Sequence, residues 1–188
     1  MKYEQKTING YDLYEVVSAL QKCIRRGLED DALFWAVELS ISNYSEYCWK
    51  RMLIISSEDV GLAEPNISAD INSLYQIFNK LKSKNDDKHC PERLFLVHAI
   101  ILLCRAKKSR LIDWKTVGVF GCHASRFREI PDFALDKHTQ RGKAMGRKMK
   151  HFIEVGCVLD NFCPQPGEDE AKAEALKALS NQCTSLFD

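Results

Sequence analysis

The stretch Leu13-Tyr14-Glu15-Val16-Val17-Ser18-Ala19-Leu20-Gln21-Lys22-Cys23-Ile24-Arg25-Arg26-Gly27 decides the fold class. Leu13, Val16, Val17, Leu20 and Ile24 recur at i, i+3, i+4, i+7 and i+11, which is one apolar stripe of an amphipathic helix. Arg25, Arg26 and Gly27 close it, since cations favour a helix C-terminus and glycine accepts the left-handed residue beyond it. The period then continues. Leu28, Ala32, Trp35, Ala36 and Leu39 share a second helical face. Asn43 to Ser45 is a break, with Ser45 as N-cap of a third helix carrying Trp49, Met52, Leu53 and Ile55 toward Ser57. Gly61 and Pro65 punctuate its end. Asn66 and Ser68 are candidate caps for a fourth helix with Ile71, Leu74, Tyr75, Phe78 and Leu81.

Further along, Lys82 to Lys88 reads as a polar surface loop. Pro91 suits the first turn of a fifth helix, Glu92 to Lys107, which is apolar on nearly all sides. Such a helix is central to a core or lies in an interface. Trp114 to Cys122 fits either a short strand or a helix. The helix is preferred because no other segment offers a pairing strand. Ile130-Pro131 breaks the chain again. Asp136 to Phe152 is polar, with a narrow stripe of Ala144, Met145, Met149 and Phe152. Cys163 to Gly167 reads as a linker before a last helix, Glu168 to Leu186. The predicted fold is all-α, a multi-helix bundle of about seven to nine helices. The expected division is a helical domain over 1–163, then a linker and short C-terminal helix over 164–188.

Composition narrows the function. With 188 residues, 45% of them hydrophobic, the chain can build a core, which excludes a disordered chain. Lys plus Arg number 27 against 26 Asp plus Glu, so the chain is not a globally basic nucleic-acid binder, although a local patch is compatible with this balance. The apolar run Leu94 to Cys104 falls short of the roughly 18 residues of a spanning helix. No apolar stretch follows Met1 to Lys6, so the expected location is cytoplasmic.

Catalytic signatures do not assemble. Gly142-Lys143 is followed by Ala144, not by the Ser or Thr of a phosphate-binding loop. Neither HExxH nor GxSxG occurs. Ser57-Glu58-Asp59 sets two carboxylates side by side, and neighbours on a helix do not face each other, so a solvated turn or a capping role is expected. Cysteines 23, 48, 90, 104, 122, 157, 163 and 183 contain no CxxC pair, and most are expected to be reduced and buried. His89-Cys90 and Cys122-His123 lack a partner at metal-ligand spacing. No catalytic residue, metal site or cofactor is expected.

One charge feature is concentrated. Lys137, Arg141, Lys143, Arg147, Lys148 and Lys150, with His138 and His151, occupy a stretch without an acidic residue. On one continuous helix, Lys143, Arg147 and Lys150 would form a row able to hold phosphates. The same row also suits a solvated face, or cations docking on acidic groups such as Glu168-Asp169-Glu170 of a neighbouring subunit. Gly142 and Gly146 point to close backbone packing or to the approach of a ligand.

Several strings together resemble a known domain. They are Tyr11-Asp12-Leu13, Ser18 to Lys22, Ile24-Arg25, Asp31 to Trp35, and above all Arg51-Met52-Leu53-Ile54-Ile55-Ser56-Ser57-Glu58-Asp59-Val60-Gly61-Leu62-Ala63. His98 to Ser109 is similar to the next helix and its Ala-Pro-Lys-Ser turn, and lysine in place of that proline leaves the helix free to continue. The likeness covers residues 11 to 110, and Pro131 to Phe152 fits a divergent branch. The domain is the C-terminal helical region of the replication-associated recombination protein A family, whose members carry an AAA+ ATPase module before it. The resemblance implies a collar related to clamp loaders that assembles the ATPase into a tetramer. It also implies a role at stalled replication forks, with single-strand-binding protein and DNA as partners. The leading expectation is a non-catalytic homo-oligomerisation module that partners an AAA+ ATPase. Its interface candidates are the helix Pro91 to Cys104 and the aromatics Trp35, Tyr47 and Trp49. The alternative is a DNA-binding module using residues 137–151.

Overall fold

The computed structural model describes residues 5–82 and 90–180, so most of the expected 82–88 loop and the end of the last helix, with Cys183 and Leu186, lie outside them. The described residues are all-α, with one isolated bridge between Lys6 and Asp12. The chain divides into two compact units, Met1–Arg126 and Phe127–Asp188.

The first unit begins with α1, Leu13–Arg26. The Asp12 carboxylate accepts from the Tyr14 and Glu15 N–H groups at 2.9 and 3.0 Å, satisfying two open donors of the first turn. Gly27 ends the helix at φ 69, and its N–H returns to Cys23 O and Ile24 O. A Cβ there would also sit 3.3 Å from Cys104 O on another helix, so the glycine serves both the turn and the packing. The stripe is buried as its period requires, with Leu20 and Ile24 at 0% exposure. Each such side chain contributes about 2 kcal/mol.

Next come α2 (Glu29–Ile41), α3 (Ser45–Ile55), α4 (Ile67–Leu81) and α5 (Glu92–Arg105). α1 packs on α2, α3 and α5, and α4 packs on α5. Ser45 is the first residue of α3, not its cap, because Asn43 takes the left-handed turn at φ 64 and Tyr44 precedes the helix. Asn66 holds the N-cap position of α4 without a side-chain bond, while Ser68 Oγ pairs with Ser56 and Ser57. Pro91 stands immediately before α5.

Of the interface candidates, Trp49 belongs to the core, and α5 gives it one face while Leu94 on its other side stays exposed. α5 buries Leu96, Ala99, Ile100, Leu103 and Cys104, and Trp49 is enclosed against the rings of Tyr75 (5.4 Å) and Phe78 (5.2 Å). Trp35 and Tyr47 pack partly buried against that core. α5 also stops at Arg105 and does not run on to Lys107. Lys108 Nζ donates to the carbonyls of Leu103 (2.7 Å), Cys104 (3.0 Å) and Ala106 (2.6 Å), which satisfies the open helix end. Burial holds this ammonium below the usual lysine range.

After α3 the chain makes a π-helical turn, Ser56–Val60, and a 3₁₀ turn, Gly61–Ala63. The last α-helix of the unit is α6, Leu111–Cys122, which resolves the strand-or-helix ambiguity of Trp114 to Cys122 as helix.

The second unit is built from short pieces: a 3₁₀ turn Asp132–Ala134, α7 (Gln140–Ala144), α8 (Met149–His151), a π-helical turn Phe152–Gly156, and α9 (Glu168–Ser180). The polar segment 136–152 is not one continuous helix, since Gly146 adopts φ 71 between α7 and α8.

Candidate interaction surfaces

α6 is assembled from its first turn. The Ser109 N–H donates to Asp59 O at 2.9 Å, and Ser109 Oγ accepts from the Leu111 N–H at 3.3 Å. The Arg110 guanidinium pairs with Asp113, lies 4.8 Å from the Trp114 ring centroid, and approaches Glu58 and Asp59 at 3.7 Å. Ile112 packs 3.1 Å from where a Cβ on Gly61 would be. Within the unit, α6 meets the π-helical and 3₁₀ turns after α3 and the short turn that follows it.

Beyond that first turn, α6 is left open by the described residues of the first unit. Trp114 is 64% exposed, Val117 61%, Val119 51% and Phe120 81%. None of the twelve residues of α6 is buried. Helices shorter than about 12–15 residues are marginal in water even for good formers. This one carries Gly118, Gly121 and the β-branched Ile112, Thr116, Val117 and Val119, which weaken it further. Trp114, Val117 and Phe120, three residues apart in turn, lie toward one side of the helix, and an exposed apolar surface of this kind makes α6 a candidate interaction site. Sequence reading missed it, since its composition is that of a core helix.

The turn that launches α6 rests on a charged cluster. Asp59 is fully buried, contrary to the solvated turn expected for Ser57-Glu58-Asp59. Arg25 Nε donates to its Oδ1 at 2.7 Å and Arg25 Nη2 to Oδ2 at 3.2 Å, while Gln21 Nε2 donates to Oδ2 at 3.0 Å. Arg51 donates to Gln21 Oε1 and sits 3.7 Å from Glu58. Glu58 also meets Arg25 at 3.3 Å. Three guanidinium groups therefore converge on Glu58, Asp59 and Asp113, and their formal charges cancel, so the cluster is a brace and not an anion site. Asp59 stands four residues after Ile55 and seven after Met52, so it continues the buried face of α3 into the π-helical turn.

In the second unit, Arg141, Lys143, Lys148 and Lys150 are exposed, but Arg147 is not available in the same way. Arg147 Nη1 donates to the carbonyls of Asp132 (2.7 Å) and Leu135 (2.8 Å), and its Nη2 pairs with Asp132 Oδ1 at 2.6 Å. Lys137 also has a partner. Gly142 is buried, and a Cβ there would lie 1.9 Å from Asp136 O, so its glycine answers to close backbone packing. Asp136 accepts from the His138 N–H at 2.9 Å and faces His138 Nδ1 at 3.0 Å. The hydrogen bond from the His138 ring holds the Asp136 carboxyl below the usual range. His138 stands edge-on to Phe152 at 5.0 Å. Thr139 Oγ1 accepts from the Gly142 N–H at 3.0 Å. Asp136, His138, Thr139, Gly142 and Arg147 thus form a structural knot, with the other cations arranged on its outside.

Among the described residues no three His, Cys, Asp or Glu side chains group as a metal site, and no helix is long and apolar enough to cross a membrane. The described cysteines form no disulfide. Cys48 and Cys104 are buried, whereas Cys122, Cys157 and Cys163 are exposed because they lie in segments whose apolar side chains are themselves uncovered.

Residues 28–173 match the family model described as MgsA AAA+ ATPase C terminal. The chain is 27% identical over 161 residues to the replication-associated recombination protein A of Bacillus subtilis, covering 81% of this chain and 36% of that protein. It is 27% identical over 130 residues to the protein of the same name from Haemophilus influenzae, covering 69% and 27% respectively. An uncharacterized AAA domain-containing protein of Mycobacterium tuberculosis is 26% identical over 163 residues, or 83% of this chain and 34% of that protein. The chain thus spans about a third of the length of these relatives, and the match extends through the basic segment. On the extent of the model match, the chain belongs to the MgsA AAA+ ATPase C-terminal family.

Proposed function

We propose that this chain is a non-catalytic homo-oligomerisation scaffold that works with an AAA+ ATPase module in DNA replication, recombination or repair, with the tetramer as its assembled state. The observation that carries the reading is α6, a helix with Trp114, Val117, Val119 and Phe120 exposed and no buried residue. Other copies of the chain would cover it, with the Asp59 cluster holding its base. Light scattering tests this. A Trp114→Asp/Phe120→Asp variant is expected to drop to the mass of one chain while keeping the helical signal of the wild type. A variant that keeps the wild-type mass contradicts the reading.

A second reading, direct DNA binding, draws on the other charged segment. Arg141, Lys143 and Lys148 are exposed, with no ion-pair partner among the described residues, and Lys150 has only Glu154 at 3.9 Å. Lys137 and Arg147, named with them from the sequence, are engaged within the fold. Arg141→Glu/Lys143→Glu/Lys148→Glu is expected to weaken binding and to lower the salt slope by about 0.7–0.9 for each phosphate that is no longer neutralised. Absence of DNA binding by the wild type removes this reading.

A further inference from the structure

We infer that Arg110 is the positioning residue of the α6 surface: its guanidinium ties Trp114 and the first turn of the helix to the Glu58–Asp59 brace, so that the surface stands ready-formed only while that tie holds. The inference rests on the oligomerisation reading for its use and names what keeps that surface in shape.

α6 does not hold itself. None of its twelve residues is buried, and its main contacts with the packed part of the unit are with the turns Ser56–Val60 and Gly61–Ala63. A helix this short is marginal in water, because the first turn fixes several dihedral angles for one hydrogen bond. Whatever fixes that turn therefore decides whether the helix stands.

Arg110 is an unexpected residue for the place. It occupies the N-cap position and makes no side-chain bond to the backbone there. It also sets a cation at the end of the helix where the macrodipole disfavours one. Three carboxylates offset this. Asp113 pairs with Nη2, while Glu58 and Asp59 stand 3.7 Å away in the brace. The guanidinium carbon lies 4.8 Å from the centre of the Trp114 ring, within reach of a cation–π attraction. Positions 110, 113 and 114 are i, i+3 and i+4, so these side chains meet on one side of the turn. The Ser109 N–H to Asp59 O bond fixes where the helix starts, and Arg110 carries that anchorage to the indole. Trp114 is 64% exposed, and tryptophan is a frequent anchor of interfaces. An anchor that is already ordered loses less freedom on association, which is how pre-organisation raises affinity.

The test compares Arg110→Lys, which keeps a cation beside the ring, with Arg110→Met, which keeps only the length. Hydrogen exchange is read first, on dilute protein where association plays no part. In Arg110→Met the amides of residues 114–120 should exchange about five- to tenfold faster than in the wild type, with α1–α5 unchanged. Arg110→Lys should show a smaller rise. Sedimentation equilibrium at higher concentration should then show association weakened in the same order. Should Arg110→Met fail to fold, Asp113→Asn replaces it, since it releases the guanidinium from its partner in the turn and leaves the brace in place; it too should speed exchange of residues 114–120 and weaken association. Wild-type exchange in the Met or Asn variant overturns the positioning role, and so does a Lys variant as fast as the Met one. Faster exchange with association unchanged overturns it as well. Each of these leaves the oligomerisation reading standing. A wild type that stays monomeric removes that reading, and the exchange measurement still decides whether Arg110 holds α6.

Discussion

Arg25 grips the Asp59 carboxylate side-on, Nε to Oδ1 at 2.7 Å and Nη2 to Oδ2 at 3.2 Å, and so ties the last turn of α1 to the π-helical turn after α3. The Asp59 carbonyl in turn receives the Ser109 N–H just ahead of α6. One residue therefore links the packed helices to the base of the uncovered one.

Removing that carboxylate leaves Arg25 and Gln21 without their acceptor in a nearly closed site. Asp59→Ala is expected to destabilise the first unit by about 3 kcal/mol, the low end for a broken buried pair because Arg25 is 28% exposed. Glu58→Ala, at a partly exposed neighbour, should cost less than about 1 kcal/mol. Urea denaturation of both variants measures the contrast, and equal losses would contradict the central place given to Asp59.

Gly142→Ala places a methyl group 1.9 Å from Asp136 O, a backbone atom that cannot swing away. The change should disrupt the knot of the second unit, at more than about 2 kcal/mol. Limited proteolysis is expected to cut residues 127–150 rapidly in this variant while α1–α5 stay resistant. Unchanged resistance throughout would show that the backbone yields at low cost.

Acid should release the N-terminal arm. The Glu38 carboxyl is held below its usual range, first by the Thr7 hydroxyl and further by the Asn9 N–H and side chain, against the opposing effect of burial. A depressed folded-state pKa means that this anchoring is fully present above the unfolded carboxylate value of about 4.3 and is lost as pH falls through the lower folded value. Amide exchange of residues 5–12 should therefore rise selectively in that acid window. In Glu38→Gln the pH step should disappear.

Thiol chemistry should sort the cysteines by environment. Burial pushes Cys48 up to about 12 and Cys104 up to about 11, so neither offers thiolate near neutral pH. Cys122, Cys157 and Cys163 are exposed and should react first with an alkylating reagent. Cys122, the last residue of α6, should be protected at concentrations where the chain associates and should become reactive on dilution. Reactivity independent of concentration would count against α6 as the interface.

α1 could be read from the sequence because its apolar period is clean and its stop signal is a single glycine. α6 was legible as helix but not as surface. Val117, Val119 and Phe120 carry no mark that separates a buried side chain from one waiting for another chain. The burial of Asp59 was hidden because Gln21, Arg25 and Arg51 are brought to it by tertiary folding alone. In the basic stretch, Gly142 and Gly146 did signal the backbone conflict. The part played by Arg147 depends on the Asp132 and Leu135 carbonyls, which no charge pattern reveals.

The most direct measurement is sedimentation equilibrium of the unmodified chain across the micromolar range. Association into a defined multiple of one chain, lost in Trp114→Asp/Phe120→Asp, is the expected result. A single-chain mass at every concentration, with α6 still helical by hydrogen exchange, would contradict the account.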